Sequence, residues 1–221
     1  MILPNLNTLT QIFSTKNAAG EADPFAVIRF FFAGNMGTYV LNSLKLGIGL
    51  IITVNVVGIS VVLLTEYFDI KGAKILRMGY MTTLIYSGVA LVTGYLFLYD
   101  NNGILTTALH NAYPQVDKNW FSGFNAVMFT MTFATTSNHM LFLRNAIRNI
   151  DFNTVEAARN LGARPMKVLW KVVFPTLIPT LFSLTVMTFI TGLCAMSAPT
   201  LLGYDSINLE IVRLAGSSIA D

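Results

Sequence analysis

Four stretches of this chain are each long enough to cross a hydrocarbon layer as a helix, a crossing that takes about 20 residues. They run from about Leu46 to Leu64, Met78 to Tyr99, Asn119 to Leu143 and Val172 to Tyr204, and His139 is the only Asp, Glu, Lys, Arg or His within them. Only helices and closed barrels satisfy their backbone in lipid. Runs this long and this continuously apolar are not barrel strands, so helices are expected. Composition agrees: 54% of residues are hydrophobic and 11% charged, against about 25% charged in a soluble domain. A large soluble core would need polar residues to cover its surface, and long stretches here lack them. Gly47, Gly49, Gly58, Gly88, Gly94 and Gly192 fall inside the spans, where small residues let helices approach closely. The expected fold class is all-α, a polytopic transmembrane helical bundle of about four spans.

Orientation follows from Lys and Arg, which collect on the cytoplasmic side. Lys71, Lys74 and Arg77 lie between spans one and two, and Arg144, Arg148, Arg159, Arg164, Lys167 and Lys171 between spans three and four; together they are nine of the 14 basic residues. Both loops are therefore expected in the cytoplasm, with the Asp100–Lys118 loop and both chain ends outside. Residues 1–35 carry no signal-peptide pattern, and the tail after Tyr204 is too polar to span. From this topology a helix is expected to be missing at each end of an incomplete chain. The short apolar run from Phe25 to Phe32 is read as an interfacial helix. The expected division is a periplasmic segment at 1–37, a transmembrane domain at 38–215 and a truncated tail at 216–221. The single cysteine, Cys194, permits no disulfide within the chain and is read as a buried small hydrophobe. Nothing repeats with a period of about 20 to 50 residues.

The most informative segment is the second basic loop, Asp151 to Pro179. Asn153 is placed to cap a helix, with Glu156 three residues on to return a bond to the cap. Ala157 and Ala158 are strong helix formers. Gly162 is expected to end this helix in the left-handed conformation, and Pro165 suits the first turn of the next. Val168, Leu169 and Val172 share one face of that second helix, with Lys167 and Lys171 on another. The expectation is two short helices joined by a tight bend at the inner membrane surface, ending at Pro175 and Pro179.

At this point the sequence resembles a known family. Glu156-Ala157-Ala158, three residues, Gly162, nine residues, then Val172-x-Phe174-Pro175 is similar to the "EAA" loop of membrane subunits of bacterial ATP-binding-cassette importers, the MetI-like permeases. There the last part reads Ile-x-Leu-Pro, so Val and Phe are apolar replacements. Asn42-Ser43-Leu44-Lys45-Leu46 resembles the opening of the family's conserved domain, and Arg148-Asn149-Ile150-Asp151 its approach to the loop. Ser197-Ala198-Pro199-Thr200-Leu201-Leu202-Gly203 is similar to the segment after the fourth core helix in permeases for iron(III), polyamines and related solutes. The likeness covers about residues 38–215. Some members of the iron branch carry two such domains in one chain.

The resemblance implies a permease subunit in a bacterial inner (plasma) membrane. Its expected partners are a dimer of ATP-binding-cassette ATPase subunits, a second permease domain, a periplasmic or lipoprotein solute-binding protein, and membrane lipid, with no nucleic acid. It implies a coupling role for loop residues 151–175, among them Glu156, Ala157, Ala158, Gly162, Arg164, Pro165, Val172, Phe174 and Pro175. No G-x-x-x-x-G-K-[ST] phosphate loop is present, so ATP hydrolysis is expected in a separate subunit and this chain is not read as an enzyme. No cofactor or metal is expected. Thr82, Tyr86 and His139 are the candidate pathway-lining residues, His139 because intramembrane ionisable groups are functional candidates; it is placed near the cytoplasmic end, within reach of water. Helix packing explains the Thr82–Ser87 patch equally well. Ser137 and Asn138 are read as bonding between helices, Pro199 as breaking the fourth helix, and Trp120, Phe121 and Phe124 as an anchor at the outer interface. Iron(III) is the favoured solute; polyamine, thiamine, sulfate and phosphonate stay open.

Three other classes fit less well, one of them a non-transporting membrane scaffold, which has no reason to carry an EAA-spaced loop. A secondary transporter or channel normally carries more buried acids and bases to couple ions. An intramembrane enzyme needs a nucleophile with its base, or a metal cluster, and one Cys with two distant His residues, His110 and His139, does not supply either.

Overall fold

The computed structural model describes residues 36–217 except 69, 116, 151–154, 157 and 159, with side chains as far as Arg213. The proposed interfacial helix at 25–32, the Asn153 cap, Ala157 and most of the tail lie outside the described residues. Among those described there are helices and no strands. α1 (Met36–Val62) continues without a break into a π turn (Leu63–Tyr67). α2 (Ala73–Thr82), α3 (Gly88–Tyr99), α4 (Ile104–Ala112), a 3-10 turn (Lys118–Trp120) and α5 (Gly123–Arg148) follow. After the basic loop comes α6, Pro165–Leu193, then α7 (Ser197–Leu201) and α8 (Ile207–Ser217).

α1, α5 and α6 pack on one another in pairs and form the centre of the bundle. Leu46, Leu50, Val54, Val127 and Met131 fill one half of the core, and Val62, Met140, Leu143, Leu169 and Leu177 the other. Glycine permits the closest crossing. A Cβ on Gly192 of α6 would lie 2.7 Å from Cα of Gly47 on α1, and one on Gly58 would lie 2.7 Å from Cβ of His139. Of the other span glycines expected to serve such approaches, Gly94 has nothing near it.

Apolar side chains lie on the outside of the bundle as well as in its core, and polar ones are drawn inside. Ile48, Ile52 and Val56 form an exposed stripe on α1, each more than half accessible. On α5, Thr130, Thr132, Thr135, Thr136, Ser137 and His139 are buried while Phe129, Leu141 and Phe142 face out. With lipid as solvent, apolar side chains gain nothing from burial, and polar ones find their partners inside the bundle. Two helices, Met36–Tyr67 with 32 residues and Pro165–Leu193 with 29, are long and apolar enough to cross a membrane. α5 has 26 residues and so about 39 Å of length, but a polar inner face.

Three expectations are corrected. The second span does not form as one helix. The hydroxyls of Thr82 and Thr83 donate to the carbonyls of Gly79 and Tyr80, both at 2.7 Å, and side-chain bonds of this kind compete with helix continuation. The chain turns, and Ser87 caps α3 by accepting from the Ala90 N–H at 3.3 Å. The fourth span ends at Leu193 rather than Tyr204, before a break at 194–196. Pro199 is therefore not the breaker; it sits inside α7, where its ring is buried. Finally, the second loop helix is not short: it runs straight on as the last span. Pro175 is accommodated because the carbonyl four residues back, that of Lys171, lies in a π turn at Leu169–Val173; Pro179 sits within the regular helix. A proline ring crowds the carbonyl four residues back, and the wider turn gives it room.

The two ends of the bundle are distinct. At one, the Tyr204 hydroxyl donates to the Asn42 carbonyl, the Asn42 amide to the Asp205 carbonyl, and the Ile207 N–H to the Ser43 hydroxyl, each at 3.0 Å. Tyr99, Trp120 and Phe121 cluster at the same end, Trp120 meeting the other two edge to face, and the Trp120 indole donates to Thr106 at 3.0 Å. Trp120 and Phe124 are exposed, whereas Phe121 is buried within the ring cluster. At the other end lie the basic loops.

Candidate functional site

The loop between α5 and α6 is built from a helix stop, a bend and a helix start. Residues 155, 156, 158 and 160 are helical. The Ala163 N–H donates to the Ala158 carbonyl at 3.1 Å, and Gly162 has φ +77°. That bond spans five residues around a left-handed glycine, the Schellman way of closing a helix. Arg164 is extended (φ −65°, ψ 146°) and serves as the N-cap of α6, with Pro165 at its first position. The Arg164 carbonyl accepts from the N–H groups of Lys167 and Val168 at 2.8 and 3.1 Å.

This arrangement leaves the bend projecting from the bundle. Glu156, Gly162, Arg164, Pro165 and Pro175 are exposed, while Ala158, Val172 and Phe174 are half-buried. Val172 lies in the π turn, and Phe174 packs at a tilt against Trp170 with ring centres 5.0 Å apart. Leu161, Met166 and Trp170 are 89%, 58% and 60% exposed, three large apolar side chains around the bend. Single exposed apolar residues are ordinary; these three fall within one ten-residue stretch of the chain, and the structure shows that each is exposed.

Beneath the bend, the turn at the end of α1 carries Glu66. Its side chain is 5% exposed and lies 2.6 Å from Arg77 Nη2 and 3.1 Å from Arg144 Nε, with Arg148 Nε at 3.4 Å. The Arg77 and Arg144 contacts to Oε1 are ion pairs that fall outside hydrogen-bond geometry. Glu66 is missed when only basic residues are weighed for orientation. A carboxylate closing an apolar run, opposite two arginine-rich loops, is the signal that points to it.

Inside the bundle, His139 is fully buried and beyond the reach of water, contrary to its expected access. It packs on Gly58, and its Nε2 lies 3.2 Å from Asn55 Oδ1. The Asn55 amide donates to Thr185 on α6 at 3.1 Å, and Thr53 and Thr132 share a bond of 2.7 Å between α1 and α5. Ser137 bonds Thr83 across α5 and α2. Thr82 and Tyr86 are exposed at the break between α2 and α3. The structure does not bring them together with His139. Cys194 is exposed rather than buried, because the helix break there leaves it on the rim of a cleft of about 510 Å³. Thr130, Thr135, Thr191 and Ser197 also line this cleft, between α3, α5, α6 and α7; no local pattern marks it, since the residues come from four elements. No cluster of three metal-ligating side chains occurs among the described residues.

Long apolar helices with exposed apolar faces, polar side chains buried among an apolar core, and a capped loop between them fit a chain embedded in a membrane. Residues 24–215 match the family described as binding-protein-dependent transport system inner membrane component, and the chain belongs to that family. It is 41% identical over 152 residues to the "Probable ABC transporter permease protein y4fN" of Sinorhizobium fredii, an overlap covering 69% of this chain and 27% of the relative. It is 26% identical over 201 residues to the ferric transport system permease protein FbpB of Actinobacillus pleuropneumoniae, covering 89% and 29%. A third relative, PhnU of Salmonella typhi, named for 2-aminoethylphosphonate transport, is 26% identical over 125 residues, covering 55% and 43%. The chain spans less than a third of the first two relatives' length.

Proposed function

We propose that this chain is a multi-pass permease domain of a bacterial ATP-binding-cassette importer, lining a solute pathway and drawing its energy from a separate ATPase pair. The observation that carries this reading is the projecting bend: a left-handed Gly162, where an added Cβ would meet no atom within 4 Å, surrounded by exposed Leu161, Met166 and Trp170. Such a surface fits a groove on a partner, with apolar anchors at its centre. The loop residues Glu156, Ala157, Ala158, Gly162, Arg164, Pro165, Val172, Phe174 and Pro175 form the coupling element. ATP binding closes the ATPase pair, the docked bends follow, and the pathway switches from inward-facing to outward-facing. A solute-binding protein delivers cargo to the outer mouth, and a second permease domain completes the pathway.

Thr82 and Tyr86, exposed at the α2–α3 break, are the residues assigned to the pathway wall. His139 belongs instead to the interhelical seam with Asn55. Iron(III) is the proposed solute, supported by the ferric name of one relative and by the resemblance of Ser197–Gly203 to iron-type permeases. Replacing Gly162 by valine tests the coupling reading. A β-branched residue at φ +77° is strained by about 1–2 kcal/mol without a clash. The full-length permease should still insert, while ATP-driven uptake of iron(III) by proteoliposomes with the ATPase and binding protein is lost. Normal binding-protein-stimulated ATP hydrolysis in that variant refutes the docking role.

A further inference from the structure

Two adjacent side chains at the inner end of α1 reach the two opposite ends of the coupling loop. Glu66 pairs with Arg144 and Arg148, and Arg148 is the last residue of α5, just before the loop. Tyr67 donates its hydroxyl to the carbonyl of Pro165 at 3.0 Å, and Pro165 is the first residue of α6, where the loop returns. Glu66 also holds Arg77 of α2. One turn of helix is thus tied to the elements on both sides of the loop and to a third.

The surroundings give this turn its leverage. It is a π turn, and the start of α6 contains the other one; Leu63, Tyr67, Leu169 and Val173 from the two turns join the same apolar cluster. Insertions of this type recur at functional positions in helices. Between the turn and the loop lies a cleft of about 210 Å³, lined by Glu66 and Tyr67 on one side and by Val155 and Glu156 on the other. The polar ties therefore stand on either side of a gap in the packing. A carboxylate this buried must be paired to offset its desolvation, and removing it leaves neighbouring arginines uncompensated.

We infer that Glu66 and Tyr67 are positioning residues that clamp both ends of the coupling loop to α1, so that a push on the loop moves α1, α2 and α5 together instead of bending the loop. This deepens the coupling reading and rests on it for its purpose, though the clamp itself is measurable without the ATPase. The test uses the full-length permease in nanodiscs, with Cys194→Ser and spin labels at Leu161→Cys and Ile70→Cys. With Glu66 and Tyr67 intact, the distance distribution between loop tip and α1 end should be narrow. It should keep its centre when MgATP and orthovanadate trap the assembled ATPase subunits. In the E66Q/Y67F double variant the distribution should widen and shift on trapping while ATPase co-purification persists, with thermal stability lowered by loss of the buried pair. Y67F alone, which deletes one hydroxyl, should widen it less, and E66D should restore the narrow form. An equally narrow, unshifted distribution in the double variant overturns the clamp. Failure of the parent permease to retain any ATPase subunit overturns the coupling reading instead, and leaves the width comparison in nanodiscs standing as the measure of the clamp.

Discussion

At the scale of single residues, the glycines separate into those that close a gap and those that do not. Gly192 and Gly47 meet where α6 crosses α1, with only 2.7 Å between Cα of Gly47 and a Cβ placed on Gly192. Gly192→Val should therefore force the helices apart and lower stability by about 1–3 kcal/mol, the usual cost of overpacking. Gly94→Ala, with nothing within 4 Å, should not lower stability, because alanine favours the helix over glycine. Thermal unfolding of the detergent-solubilised permease compares the two. The sequence shows both as glycines within apolar runs and cannot rank them, because the difference lies in which helix passes opposite. Gly162 is another matter: the end of one helix and the proline opening the next are both local signals, so its positive φ is legible without any knowledge of packing.

At the scale of elements, α1, α5 and α6 are joined by polar contacts as well as apolar ones. Asn55 bonds His139 on α5 and Thr185 on α6, one side chain linking three helices. Asn55→Leu should cost about 0.6 kcal/mol, the average for hydrogen bonds between membrane helices, and at most about 1.7 kcal/mol. The effects of Asn55→Leu and His139→Leu should be less than additive, since each removes the same bond. Unfolding of the single and double variants in mixed micelles supplies the cycle. The existence of the long apolar helices follows from run length, but their ends do not. The second run breaks at Thr82 and Thr83 through hydroxyl bonds back to the chain. The last runs on from Pro165 past Pro175 because a π turn makes room for that ring. Hydropathy registers solvent preference, and it is blind to whether a given turn keeps its backbone bonds.

At the scale of the whole molecule, the proposed topology places the bend on one side of the membrane and α4 on the other. In a Cys194→Ser background, Leu161→Cys should react with an impermeant maleimide only from the cytoplasmic face, and Asn111→Cys only from outside. Labelling of position 161 in intact cells would separate the loop from any ATPase and end the importer reading. The order of residues along the chain is enough to set the solvent of this protein and the form of its loop. Solvent preference is a property of composition over about 20 residues, and a helix stop, bend and restart depends on neighbours in the chain. Packing in three dimensions was needed to gather Arg77, Arg144 and Arg148 on Glu66, to bring Tyr67 to Pro165, and to seal His139 against Gly58. Those contacts join residues up to 98 positions apart, and their distances are set by how helices cross, which no local pattern encodes.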